Sequence, residues 1–238
     1  MLVGTLLERL TEDPRAAAVL LDVDGTLAPI VAQPELAVVS AEARTELERL
    51  AGRYALVACV SGRTAADAAR IVGVSGIRYV GEHGLELDPA ADEWAGRLAA
   101  FADTVDWPSE SGKRLTLAFH YRAADDQQSA VRLLRRAADQ ALAEGLRPRW
   151  GRKVLEVRPP LDADKGTAVR RLVDGAGLHR ALYAGDDATD LDAFHGLNGL
   201  DVAVRVAVVS DESPAELRAA ADVVVGGPDE LLELLRQL

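Results

Sequence analysis

Short apolar runs recur along the chain at Ala16–Leu21, Ala55–Val60, Ile77–Val80, Ala181–Ala184, Val202–Val209 and Val223–Val225. Most are unbroken rather than strictly alternating, so they predict strands covered on both faces, as in a parallel sheet. Amphipathic stretches lie between them. Ser40 ahead of Glu42–Leu50 and Thr64 with Asp67 three residues on predict capped helix starts. Ser213-Pro214 with Glu216 predicts a capping box with proline at the first helical position. Strands and helices in this alternation predict an α/β fold built on a doubly wound, Rossmann-like parallel sheet.

The rhythm changes between about Asp88 and Leu161. A strand-like run Arg114–Tyr121, a long amphipathic stretch Asp125–Glu144 and a strand-like run Lys153–Val157 predict a separate α+β lobe. Leu115, Leu117, Phe119 and Tyr121 alternate with Thr116, Ala118, His120 and Arg122, which suits a sheet with one covered face and one open face. The predicted organisation is therefore a core made of residues 1–87 and 161–238, with residues 88–160 inserted as a second domain. A chain of 238 residues suits one large domain or two modest ones.

Charge narrows the partners. The formal net charge of −11 is spread without a basic stripe, which argues against nucleic acid and against an anionic membrane surface. No apolar run approaches spanning length, and the acidic amino terminus with Glu8, Glu12 and Asp13 does not read as a signal peptide. Cys59 is the only cysteine, which excludes an intrachain disulfide or a cysteine metal cluster and suits a reducing, cytoplasmic setting. Within Ala55–Val60 it reads as a small core residue.

Chemistry gathers where the runs end. Asp22-Val23-Asp24-Gly25-Thr26 follows the first, and residues two apart on an extended strand share a face, so both carboxylates can address one ligand. Gly25 permits a tight turn, and Thr26 adds a hydroxyl and an amide for a phosphate oxygen. A calcium loop would need further oxygen ligands and a terminal Glu at spacings that this stretch lacks. Ser61-Gly62-Arg63 follows the second run. Lys165-Gly166-Thr167 puts a cation at a helix start, where anions are already favoured. Gly185-Asp186-Asp187-Ala188-Thr189-Asp190 ends a later strand. Together they outline a cation and phosphoryl site.

In this order the four stations resemble the motifs of the haloacid-dehalogenase-like hydrolases, phosphatases with an aspartate nucleophile. Gly81-Glu82-His83-Gly84-Leu85-Glu86, Phe119-His120-Tyr121-Arg122 and Val154-Leu155-Glu156-Val157-Arg158-Pro159 are similar to further signatures of the trehalose-6-phosphate phosphatases within that superfamily. The last motif there usually continues Gly-Asp-Asp-x-Thr-Asp-Glu, whereas Leu191 stands at the Glu position here. The resemblance implies magnesium-dependent hydrolysis of trehalose 6-phosphate to trehalose and phosphate, in trehalose biosynthesis. It implies a monomer coupled functionally to a trehalose-6-phosphate synthase, with the inserted domain as a cap that closes over the sugar.

It also implies roles. Asp22 becomes the nucleophile and a magnesium ligand, Asp24 the general acid and base and a ligand through its carbonyl, and Asp186 the third ligand. Lys165 offsets charge, and Thr26 and Ser61 hold phosphoryl oxygens. Asp187 and Asp190 orient bound water or Lys165, although aspartates here also suit a helix cap for Ala188–Phe194. Arg63 either faces the substrate or closes a salt bridge on the next helix, and His83 either meets the sugar or completes its turn. Arg122, Lys153, Glu156 and Arg158 read as sugar contacts or as a solvated strand edge. Trp94, Trp107 and Trp150 offer stacking faces or packing, and His179 and His195 read as surface residues. Two rival functions stay open: a phosphatase or phosphomutase for another hexose or disaccharide phosphate, and a non-catalytic sugar-phosphate sensor or synthase-associated regulatory subunit.

Overall fold

The computed structural model describes residues 3–31, 33–109, 112–151, 153–210 and 213–238. The first half contains α1 (Val3–Thr11), β1 (Ala17–Leu21), α2 (Ala41–Arg53), β2 (Leu56–Val60), α3 (Ala65–Val72), β3 (Arg78–Val80), α4 (Ala91–Ala102) and β4 (Leu117–His120). The second contains α5 (Gln127–Ala143), β5 (Arg147–Gly151), β6 (Val154–Arg158), α6 (Lys165–Gly175), β7 (Arg180–Gly185), α7 (Asp190–Gly196), β8 (Val202–Val208), α8 (Ala215–Ala220), β9 (Val223–Val225) and α9 (Pro228–Leu235). The chain divides into two compact units, Met1–Gly84 with Ala163–Leu238, and Leu85–Asp162.

The first unit is a six-stranded sheet in the order β3-β2-β1-β7-β8-β9, parallel throughout. Ala17, Val19 and Leu21 of β1 join Leu182 and Ala184 of β7 in one apolar cluster with Leu47 of α2, Ile71 of α3 and Leu231 of α9. Tyr183 points the other way, edge to face against Phe194 of α7. Helices therefore cover both faces, which is why the runs need no polar positions. Cys59 sits in the first cluster with no exposure, and burial, with Asp22 nearby, pushes its thiol above the ordinary range. β1 pairs with β2 on one side and β7 on the other, so the strand order switches there, and ligands of such sheets bind beyond the carboxyl ends of the strands at the switch.

In the second unit β4-β6-β5 form an antiparallel sheet. Leu117, Phe119, Leu155 and Val157 enter a core with Leu98 of α4 and Leu134 and Ala138 of α5. Alternation leaves His120, Arg149, Glu156 and Arg158 on the opposite face.

Several expectations need correction. The run Arg114–Tyr121 yields only Leu117–His120 as strand, and β5 went unread because Pro148 and Gly151 break its apolar pattern. Helices α1, α4 and α9 were also not foreseen. The capping box at Ser213 does not form: Pro214 is itself the cap position, and the Ser213 hydroxyl instead accepts from the Ser210 amide at 3.0 Å. A true capping box occurs on α6, where the Asp164 carboxylate accepts from the Thr167 amide and the Thr167 hydroxyl accepts from the Asp164 amide. Ser40 and Thr64 do cap α2 and α3. Trp94 and Trp107 pack against the core of the second unit, whereas Trp150 is 42% exposed. His179 and His195 are exposed.

Candidate active site

The carboxyl ends of β1 and β7 build the site. The Asp22 amide donates to the Ala184 carbonyl at 2.9 Å, so the parallel ladder continues one residue past β1 and fixes the start of the turn. The chain then reverses, with the Gly25 amide on the Ala28 carbonyl and Gly25 at φ 79°. A Cβ at Gly25 would lie 2.0 Å from Asp186 Oδ2, so only glycine lets this turn approach the end of β7 so closely. Thr26, fully buried, donates its hydroxyl to Asp186 Oδ1 at 3.3 Å.

Lys165 begins α6 and is 2% exposed. Its ammonium lies 3.0 Å from Asp22 Oδ1 and 2.8 Å from Asp190 Oδ1. Asp190 accepts at both oxygens: Oδ1 takes Lys165 and the Tyr183 hydroxyl at 2.7 Å, and Oδ2 takes the amides of Asp186 at 2.9 Å and Asp187 at 3.0 Å. Asp190 thus both orders the loop ahead of α7 and holds Lys165. Tyr183 is the member of this network that sequence reasoning missed; its apolar neighbours made it look like core, and its only signal was a phenol that needs a partner when buried. Asp187 accepts from the Thr189 amide and hydroxyl in the turn ahead of α7, and the aspartate helix cap expected here does not form, because Thr189 occupies the cap position without a side-chain cap bond.

Asp24 and Arg63 form a two-pronged ion pair, with Nε to Oδ2 at 2.6 Å and Nη2 to Oδ1 at 2.7 Å. Arg63 also reaches Asp67 on α3 at 2.7 Å. It therefore closes the salt bridge on the next helix and clasps Asp24 as well. Ser61 is buried and its hydroxyl accepts from the Arg63 amide. The His83 amide donates to the Ser61 carbonyl, with His83 itself at φ 56°.

The remaining candidates belong to the second unit. Lys153 is exposed, holds a left-handed backbone at φ 66° in the β5–β6 turn, and bonds through Nζ to Gln127 Oε1. Gln127 also donates to the Arg122 carbonyl at 3.0 Å. Glu156 stands between Ala118 and Arg149, and Arg158 opposite Arg147.

One oxygen each from Asp22, Asp186 and Asp190 lies within 4.8 Å of the others. Three buried carboxylates lie together with one ammonium, which pairs with Asp22 and Asp190, and the imbalance is visible in their acidities. Burial raises Asp22 well above its ordinary value against the pull of Lys165. Burial, then Asp190 and Asp187, raises Asp186 to about 7. Burial raises Asp190 as well, whereas at Asp187 Lys165 and Thr189 outweigh burial and lower it. Such a donor set fits a hard divalent cation, which would supply the missing charge. Because both Asp190 oxygens are already committed, the oxygens left for a cation come from Asp22 and Asp186.

This sheet, with acidic groups at its switch point, is the architecture of the haloacid-dehalogenase-like fold. A haloacid dehalogenase-like hydrolase from Bacteroides thetaiotaomicron superposes with a TM-score of 0.65 at 16% identity, over 93% of this chain and 98% of that one. The model of the trehalose-phosphatase family matches residues 20–222, and the chain belongs to that family. The trehalose-phosphate phosphatase of Mycobacterium avium (strain 104) is 36% identical over 246 residues, covering 94% of this chain and 62% of that protein. The chain spans about three fifths of the length of the curated relatives it matches. The Aspergillus fumigatus trehalose-6-phosphate phosphatase, crystal form 3, matches with a TM-score of 0.65 and 26% identity, over 99% of this chain and 96% of that one.

Proposed function

We propose that the protein hydrolyses trehalose 6-phosphate to trehalose and phosphate through an aspartyl-phosphate on Asp22, with Mg2+ as cofactor. The observation that carries this reading is the Asp22–Lys165 pair, a buried carboxylate held 3.0 Å from an ammonium at the sheet's switch point. A carboxylate attacks a phosphate monoester only when cations offset the mutual repulsion. Family membership and the relatives' printed names support the substrate.

An oxygen of Asp22 attacks phosphorus in line as the bond to the sugar oxygen breaks, and Asp24 gives that oxygen its proton. Water then attacks the acyl phosphate, Asp24 takes a proton from it, and phosphate leaves with Asp22 restored. For both steps Asp24 has to leave its clasp with Arg63, and its 40% exposed side chain has room to turn. Lys165 stays between Asp22 and Asp190 and offsets charge throughout. Ser61 and the Thr26 turn hold phosphoryl oxygens. Mg2+, when bound, supplies further charge neutralisation through Asp22, the Asp24 carbonyl and Asp186. Asp187 and Asp190 position water and Lys165.

The first unit acts as the catalytic core and Leu85–Asp162 as the cap, with Arg122, Lys153, Glu156 and Arg158 reading the sugar and Arg63 and His83 at the rim of the core. We place the reaction in the cytoplasm, in a monomer that works downstream of a trehalose-6-phosphate synthase; no described helix is long and apolar enough to cross a membrane. The test is phosphate release from a panel of trehalose 6-phosphate, sucrose 6-phosphate, glucose 6-phosphate and mannose 6-phosphate with Mg2+. Preference for trehalose 6-phosphate is expected. Preference for a hexose phosphate would move the assignment to another sugar phosphatase, and no turnover of any ester would leave a sensor.

A further inference from the structure

Behind the carboxylates lies a phenol for which the proposed chemistry has no use. Tyr183 of β7 is fully buried, its ring fixed against Phe194 with centroids 6.2 Å apart. Its hydroxyl donates to Asp190 Oδ1 at 2.7 Å, the same oxygen that receives Lys165 at 2.8 Å. Asp190 Oδ2 is taken by two backbone amides. The Lys165 ammonium is shared between Asp190 and Asp22, at 2.8 and 3.0 Å, so its place depends on how strongly each carboxylate attracts it.

A carboxylate oxygen that already accepts one hydrogen bond has less free negative charge for a second donor, and the difference is large where water is excluded. We propose that Tyr183 is a positioning residue: by sharing Asp190 Oδ1 it moderates the pull of Asp190 on Lys165 and keeps the ammonium engaged with Asp22. This rests on the roles proposed above for Asp22 and Lys165. Burial, then the charges of Asp190 and Asp22, holds the phenol well above its ordinary pKa, so the hydroxyl remains a donor. Gly185 belongs to the same device, since a Cβ there would lie 2.1 Å from the Asp190 carboxyl carbon and would displace the acceptor.

The test is Tyr183→Phe in the full chain with Mg2+, which removes the hydroxyl and keeps the ring. Tyr54→Phe is the control, because Tyr54 is also buried but donates to the Leu238 carbonyl, in the cluster on the other face of the sheet. Turnover of trehalose 6-phosphate is one readout. The ε-ammonium NMR signal of Lys165, identified by its loss in Lys165→Met, is the other and needs no turnover. Tyr183→Phe is expected to lower kcat about tenfold, the scale of one net hydrogen bond, with KM unchanged and the Lys165 signal shifted. Tyr54→Phe should change neither. An unmoved Lys165 signal, or a moved signal with unchanged kcat, would overturn the positioning role, and lost thermal stability alone would leave Tyr183 as packing. If the wild type turned over no phosphate ester, the proposed function would fall and the Lys165 signal alone would decide the coupling.

Discussion

The two sheets of this protein present their polar side chains in opposite ways. At the end of the parallel sheet, Asp22, Thr26, Ser61, Lys165, Asp186 and Asp190 are all buried and tied to one another or to backbone. On the antiparallel sheet of the second unit, Glu156 and Arg158 are half-buried on an open face and Lys153 is exposed on a turn. The contrast fits the two physical tasks that the proposed function assigns to the two units. Stabilising charge that develops during a reaction requires dipoles and ions already in place and shielded from water. Reading an uncharged, hydroxyl-rich sugar requires donors and acceptors that stay accessible until the ligand covers them.

Four experiments would break or sharpen that contrast. The largest effect is expected at Asp22. Asp22→Asn is nearly isosteric and should eliminate measurable phosphate release without unfolding the chain, and activity within tenfold of wild type would sink covalent catalysis there. Next comes Asp186→Ala, which should raise the Mg2+ concentration for half-maximal activity by about a hundredfold or more, since even partners that only orient a ligand cost tenfold to a hundredfold. Asp192→Ala, two residues along α7 and exposed, should leave the Mg2+ titration alone. Full activity after exhaustive chelation would refute the cation altogether.

The third experiment moves to the open sheet. Glu156→Ala or Lys153→Ala should cut kcat/KM for trehalose 6-phosphate by about a hundredfold, or about 2–3 kcal/mol, and leave p-nitrophenyl phosphate hydrolysis nearly unchanged. Equal losses on both substrates would mean that these side chains support folding rather than recognition.

The smallest effect is a pH-dependent stability. Asp186 has a folded-state pKa of about 7 against an ordinary 3.8, so the neutral carboxyl is favoured in the fold. Its contribution to stability is complete below the unfolded value and disappears as pH rises through about 7. A bound cation reverses that cost. The rise in Tm on adding Mg2+ should therefore be larger at about pH 8 than at about pH 5, and Asp186→Ala should remove the difference. A gain independent of pH in the wild type would separate the raised acidity from metal binding.

Much of the first unit was legible because its signals are local. An unbroken apolar run such as Leu56–Val60 has few alternatives to a buried strand, and Asp22-Val23-Asp24-Gly25-Thr26 combines a strand end, a turn and two carboxylates in five residues. The Asp190 network was not legible in the same way. Whether that residue caps a helix or holds Lys165 depends on a partner 25 positions away: it holds Lys165 and ties the loop ahead of α7, and no side chain caps that helix. The clasp between Asp24 and Arg63 spans 39 positions and no pattern announces it. In the second unit β5 was not foreseen because Pro148 and Gly151 break its apolar pattern, although Trp150 pairs with Leu155 in a regular ladder.

Thr26 and Asp186 touch across 160 positions of sequence, with the whole second unit strung between them. During synthesis, a nascent chain that has not yet emitted β7 carries Asp22 and Lys165 but lacks Asp186, Asp190 and the strand that anchors the Asp22 amide. No early folding unit can assemble the cluster. On the proposed function, phosphate release would report completion of the parallel sheet rather than local order, and carboxy-terminal truncations that enter β7 should abolish it in a single step.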